Sequence, residues 1–166
     1  ILLSIIVETG SFRFPSVTLK TFDICAHLLS CGVDYQRLAE KSYWSRSKAE
    51  ALLLGLAFSR LKFYKGSKVA LTELTFKDLK RFGAKQDEID PIADQIRTLK
   101  DVKVVILLRE MEGDKWRVSL RSKGRLNIGK IAEEFGGGGH PDVAGCYIGR
   151  KEEEKKKLIS RITEAV

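Results

Sequence analysis

Gly136, Gly137, Gly138, Gly139 and His140 stand in one unbroken run. Consecutive glycines expose backbone N–H groups without Cβ interference, so such a loop can cradle an anion such as phosphate. Pro141 follows at once and restricts His140 towards extended backbone. The His140 ring could donate a hydrogen bond to that phosphate or stack on a base. A flexible linker is the competing reading, because each glycine loses more backbone entropy on ordering than any other residue. The run lies between a helix signal and a strand signal and has no Ser or Thr padding, which favours the loop. It is not a P-loop: no Lys-Ser or Lys-Thr follows, and the order is helix–loop–strand. The dinucleotide fingerprint fails on the same order.

A second basic element lies upstream. Trp116, Val118 and Leu120 alternate with Arg117, Ser119 and Arg121, so the two arginines and the serine share one face of a strand. The strand runs on into Arg121-Ser122-Lys123-Gly124-Arg125. An arginine at a strand end can hold phosphate with two parallel hydrogen bonds. An edge strand guarded by charge would produce the same pattern. His27 falls within a predicted helix and is given no role.

The elements that must position these residues can be placed from local signals. Ile1 to Val7 is an apolar run, too short to span a bilayer and without signal-peptide flanks; it reads as a buried strand. Because the chain then opens in mid-strand and its only Met is Met111, it reads as the later part of something longer. Three helices are expected next. The first covers about Lys20 to Ser30, with Gly32 stopping it. The second is capped by Asp34. The third starts at the Ser47…Glu50 pattern and is apolar enough to be buried on more than one side. Val69, Leu71 and Leu74 suggest a strand. Thr75 with Asp78, and Asp90-Pro91, mark helix starts. Val102–Glu110 and Trp116–Arg121 form a hairpin. Asn127 caps a helix to Phe135, Val143–Ile148 is a strand, and the tail from Lys151 is a helix with Leu158, Ile162 and Ala165 on its apolar face. Glu152–Lys156 and Glu153–Lys157 are expected as its i,i+4 pairs. Such an order builds a mixed β-sheet with packed helices, an α/β fold.

Composition is that of a globular chain of 166 residues, 43% hydrophobic and 31% charged. Thirty basic against 22 acidic residues leave +8, a surface suited to phosphate-bearing ligands. Cys25, Cys31 and Cys146 are odd in number and widely spaced, which argues against a disulfide framework or a zinc site and fits reduced thiols in a cytoplasmic protein.

The segment Phe135–His140 followed by Ala144-Gly145 resembles the signature of the C-terminal DHH-associated domain. Leu107-Leu108-Arg109-Glu110 and Ser119-Leu120-Arg121-Ser122 are similar to the hairpin that precedes that signature. Thr9-Gly10-Ser11-Phe12-Arg13-Phe14-Pro15-Ser16 resembles the end of the DHH catalytic domain. The branch most similar is the nanoRNase type, oligoribonucleases that also act as phosphoadenosine phosphatases. The resemblance implies the terminal strand and helices of an α/β catalytic domain over residues 1–62, a linker over 63–67, and a DHH-associated substrate-binding domain over 68–166. It implies metal-activated hydrolysis at a centre of two manganese ions, whose main motifs are absent here and would lie upstream of Ile1. The place of the family's last catalytic Asp is held by Glu8. Its extra methylene displaces the carboxylate by more than the ~0.2 Å a metal site tolerates, so Glu8 is a ligand, an altered ligand or a lost one. Gly137, Gly138, Gly139, His140, Arg121, Ser122 and Arg109 are implied as substrate-binding residues.

The function this implies is a metal-dependent phosphoesterase acting on short oligoribonucleotides or small nucleotide phosphates, with this chain not competent alone. Two alternatives stay open: a non-catalytic nucleotide- or RNA-binding module, and a cyclic or linear dinucleotide phosphodiesterase. Expected partners are short RNA or nucleotide phosphates, with a second copy of the chain as a further candidate and no membrane.

Overall fold

The computed structural model describes residues 1–166 except Pro15, and the side chain of Asp87 is likewise outside the description. Pro15, part of the Thr9–Ser16 stretch that bears the resemblance, therefore lies outside the described residues. The chain forms two compact units, Ile1–Arg46 and Ser47–Val166.

The first unit is helical: α1 (Leu2–Glu8), α2 (Leu19–Ser30) and α3 (Tyr35–Tyr43). The strand expected over residues 1–7 is α1 instead. A short apolar run does not distinguish strand from helix by periodicity alone. Here Leu2 and Ile6, one turn apart, are buried in a small core with Cys25, and Thr9 closes the helix by donating its N–H and its hydroxyl to Ile5 O. Asp34 caps α3 as expected, accepting from Arg37 N at 3.0 Å. Gly32 follows α2 with φ +84°.

The second unit begins with α4 (Lys48–Ser59), capped by Ser47, whose hydroxyl accepts from Glu50 N. Only Leu53 and Ala57 of α4 are fully buried, so its broad apolar run is covered on one side rather than several. A six-stranded mixed sheet follows, made of β1 (Lys62–Tyr64), β2 (Val69–Leu74), β3 (Val104–Met111), β4 (Lys115–Ser122), β5 (Gly138–Gly139) and β6 (Val143–Gly149). Its order is β1-β2-β3-β4-β6-β5, and β2 and β3 are the one parallel pair among the described strands. The linker expected over 63–67 is part of the β1–β2 hairpin: the Lys65–Lys68 turn brings Phe63 opposite Ala70. Helix α4 packs on the sheet through Leu53 and Ala57, and Ala57 O accepts from Thr72 Oγ1, so the separation of units falls before α4 rather than after it.

Strand alternation builds two cores. Val104, Ile106 and Leu108 of β3, Trp116, Val118 and Leu120 of β4, and Ala144, Cys146 and Ile148 of β6 face α7 (Ile128–Glu134) and α8 (Glu152–Ala165). Ala70, Leu74, Val105 and Leu107 face α4, α5 (Phe76–Phe82) and α6 (Asp90–Arg97) on the other side. The i,i+4 pairs expected in α8 give way to Lys155, which bonds both Glu152 and Glu73 and so ties α8 to β2. No helix among the described residues is long and apolar enough to cross a membrane.

The start of α5 is a densely bonded polar point of this scaffold. Asp78 is buried, accepts from Thr75 N and Oγ1, and accepts from the two terminal guanidinium nitrogens of Arg60 at 2.6 and 2.9 Å. Burial alone pushes the Asp78 carboxyl up, but the bonds from Arg60 and Thr75 outweigh it and hold it below the usual carboxylate value. Asp78→Ala should lower the unfolding free energy by about 2 kcal/mol in urea denaturation, since a helix-start bond and charge-assisted bonds go together. Because the folded value lies below the unfolded one of about 3.9, this contribution is complete above that pH and is lost as pH falls through the folded value. The stability gap between wild type and Asp78→Asn should therefore be flat near neutrality and close in acid.

Candidate functional site

The glycine run is not a linker. Gly136 (φ +70°) ends α7 as a left-handed cap, with Gly136 N donating to Glu133 O and Gly137 N to Ala132 O. Gly138 and Gly139 then form β5, paired with Gly145 and Ala144 of β6, and His140 N donates to Val143 O at 2.7 Å. Two of the N–H groups expected to cradle an anion are thus spent on the helix end, and the His140 N–H on the sheet. The glycines serve close approach instead. A Cβ at Gly137 would meet Gly145 O at 2.1 Å, and one at Gly139 would meet Val143 O at 2.4 Å. Gly138 alone in the run has neither constraint: its φ lies outside the left-handed region and a Cβ there would meet nothing within 4 Å.

Ser122 stands behind this loop rather than in front of it. Its side chain is buried on the α7/α8 face, its Oγ donates to Leu126 O or Pro141 O, and its N–H donates to Asp142 O. Ile128 N also donates to Pro141 O. Ser122 therefore latches the His140–Asp142 turn, and the His140 side chain is left exposed.

The opposite face of the same strands is only partly covered. Helix α6 packs on β3, over Val105 and Leu107, and on β4, where Ser119 is buried, while Gly138, Val143 and Gly145 are partly exposed and Tyr147 is exposed. Register places three rows across that face. Arg109, Arg117 and Tyr147 form the first, Leu107, Ser119, Gly145 and Gly138 the second, and Val105, Arg121 and Val143 the third. The second row is floored by small residues beyond Leu107. The reading of Arg117–Arg121 as an edge strand guarded by charge is corrected: β4 is bonded on both sides, by β3 and β6.

Helix α6 turns a charged flank to this face, with Asp90, Asp94 and Arg97 at i, i+4 and i+7. Arg121 Nε lies 3.1 and 3.2 Å from the two Asp94 oxygens, and its Nη1 donates to Leu120 O. Arg97 bridges Asp94 and Asp142 at 3.0 and 3.3 Å. Arg121 is thus held in place by carboxylate before any ligand arrives. Arg109 is 5% exposed; its Nη1 donates to Gln86 O at 2.7 Å, and Asp90 lies 3.6 Å away. Burial pulls the Arg109 guanidinium below its ordinary value; Asp90 offsets this in part and Arg117 adds to it.

The structure thus brings Arg109, Arg121 and Gly138 onto one face with His140 at its margin, and sets Ser122, Gly137 and Gly139 to building that margin. Asp94, Arg97, Asp142 and Tyr147 were missed from the sequence as site residues. The 90/94/97 spacing in a predicted helix and the two-residue alternation ending at Tyr147 were the signals available.

Glu8, the residue implied as a metal ligand, is exposed at the end of α1. It lines a depression of about 520 Å³ within the first unit with Ser4, Thr9, Ser16, Lys20 and Thr21. It is the one carboxylate on that lining, and among the described residues no three His, Cys, Asp or Glu side chains come together as a metal site. The described residues do not fit a two-metal centre.

Comparison with known proteins bears on this geometry. The model of the DHHA1 domain matches residues 57–166. The chain is 30% identical over its full length to the bifunctional oligoribonuclease and PAP phosphatase NrnA of Thermus thermophilus, covering 48% of that protein. It is 32% identical over 142 residues, 86% of this chain, to a probable NrnA of Streptococcus mutans, covering 45% of it. The crystal structure of an exopolyphosphatase-related protein from Bacteroides fragilis superposes with a TM-score of 0.87 at 29% identity, over 96% of this chain and 47% of that one. The chain spans about half the length of the curated relatives it matches.

The different duties of the glycines can be separated by substitution. Gly137→Ala should destabilise the domain by roughly 1–3 kcal/mol through overpacking against β6. Gly138→Ala should leave stability within about 0.5 kcal/mol, as for an unencumbered surface change. Thermal unfolding of the two variants side by side reads the difference; equal losses would contradict the packing described.

Proposed function

Because the chain belongs to the DHHA1 domain family, and is related over its whole length to nanoRNase-type proteins of the DHH superfamily, we propose that it is the substrate-holding part of a phosphoesterase acting on short oligoribonucleotides or small nucleotide phosphates. The observation that carries this reading is the partly open β4–β6–β5 face. A fixed arginine, Arg121, and an exposed histidine, His140, flank a row of the small residues Ser119, Gly145 and Gly138, of which Ser119 is buried and the two glycines are partly exposed.

On this reading Arg121 and His140 hold a phosphate at the β5 end, and the small-residue floor admits the sugar or base beside it. Asp94 and Arg97 orient Arg121, so its guanidinium is ordered before substrate binds and loses little freedom on binding. The +8 charge raises the local concentration of anionic substrate. The cleaving chemistry, manganese-dependent by family resemblance, is proposed to reside in the rest of the protein. No step is assigned to the residues described here, which hold and orient the substrate.

The test is release of mononucleotides from a 5′-phosphorylated diribonucleotide by the full-length protein with manganese. His140→Ala should lower kcat/KM by roughly ten- to a hundredfold, the loss of one charge-assisted hydrogen bond of about 1.5–3 kcal/mol. Tight binding of the dinucleotide without turnover would instead establish a non-catalytic binding module. Neither binding nor turnover would end the proposal.

A further inference from the structure

The first row of the partly open face is not needed for the site just described. Arg109 and Arg117 are direct partners across β3 and β4, and Tyr147 is the partner of Arg117 across β6. Like charges directly opposite one another on neighbouring strands are destabilising. The pair persists with little compensation. Asp90 lies 3.6 Å from Arg109 Nη1, within ion-pair range but not a hydrogen bond. Arg109 Nε is buried with no hydrogen-bond partner among the described residues. A buried N–H left unpaired costs a large part of its desolvation penalty. For the Arg117 side chain the described residues provide no hydrogen bond and no ion pair. Tyr147 beside it is 56% exposed, an aromatic ring set on an open sheet face.

An anion seated at the Arg117 guanidinium would offset the cross-strand repulsion and give Arg117 an acceptor, with the buried Arg109 adding its charge from the neighbouring strand. Arg117 and Arg121 are four residues apart on β4, a separation of about 13 Å at the usual rise per residue. The stretch between them is the floor of Ser119, Gly145 and Gly138. That length admits a nucleoside between two phosphates.

We propose that Arg109, Arg117 and Tyr147 form a second subsite that takes the next phosphate of an oligonucleotide, with the Tyr147 ring carrying the adjoining base. This rests on the reading that the face binds nucleotides, and it deepens that reading. The chain selects substrates longer than one nucleotide by holding two phosphates at once, and a mononucleotide engages only the Arg121–His140 end. Base stacking on an aromatic ring is tolerant of sequence, so the subsite distinguishes length rather than base.

The experiment is equilibrium binding to the full-length protein, with no divalent metal added so that nothing turns over. The probes are a 5′-phosphorylated diadenylate and AMP, at fixed salt. Arg117→Ala and Tyr147→Leu alter partly and largely exposed side chains, and a circular-dichroism melt checks that each still folds. Each should weaken the diadenylate about tenfold or more and leave AMP within about twofold. Arg117→Ala should also reduce the salt dependence of diadenylate binding by close to one counterion. Unchanged diadenylate affinity, or equal losses for both probes, would overturn the second subsite. Arg121→Ala separates the two failures. If it weakens both probes while Arg117→Ala weakens neither, the second subsite falls and the nucleotide-binding reading stands. If the wild type binds neither probe, both fall.

Discussion

Strand β4 is the constraint on which this molecule depends. It is bonded on both sides, to β3 and to β6, and its residues alternate between two unlike environments. Trp116, Val118, Leu120 and Ser122 go down under α7 and α8, and the even positions of β3 and β6 go with them into one core. Arg117, Ser119 and Arg121 must then face the other way. A shift of one residue in either pairing would bury the arginines and expose the core, so the register that stabilises the domain also sets out the binding face.

The margin of that face is built from backbone rather than from side chains. Strand β5 approaches β6 so closely that Gly137 and Gly139 have no room for a Cβ, and the left-handed cap at Gly136 turns the chain out of α7 into that approach. Ser122 completes it from behind by bonding the carbonyls of the following turn. The loop is consequently a fixed edge, and the freedom that four glycines would have in a linker is removed by hydrogen bonds and contact. His140 is presented at the end of this edge by an N–H bond to Val143, with its side chain free of the packing.

Charge on the face is arranged unevenly. At the β5 end, Arg97, Arg121, Asp94 and Asp142 balance one another, which orders Arg121. At the far end Asp90 lies within ion-pair range of Arg109, and Arg117 has no carboxylate partner among the described residues. Helix α6 supplies both carboxylates through a single flank, while its other side, Ile92, Ala93 and Ile96, anchors it to the sheet. The position of that helix therefore decides which arginine is satisfied by protein and which is left with bonding capacity.

Local chemistry was legible in the sequence wherever one short segment settles the outcome. The caps at Asp34, Ser47, Thr75 and Asn127, the hairpin of β3 and β4, the shared face of Arg117, Ser119 and Arg121, and the α/β character all follow from signals a few residues long. The resemblance carried by Phe135–His140 was equally local, and the family match bears it out. Tertiary structure decided the rest, because it depends on residues far apart along the chain. The run at Leu2–Val7 is equally apolar as helix or strand, and only its packing against Cys25 selects the helix. Residues 63–67 look like a linker until β2 pairs with β1. No reading of Ser122 alone shows that the carbonyl of Pro141, 19 residues on, competes with that of Leu126 for its hydroxyl. The glycine run reads in the sequence as an anion cradle, and only the pairing of β5 with β6 shows that Gly137 and Gly139 serve close backbone approach and that Gly138 does not. Parity along a strand assigns a face; what lies beside a residue on that face is set by strands and helices brought together from elsewhere in the sequence.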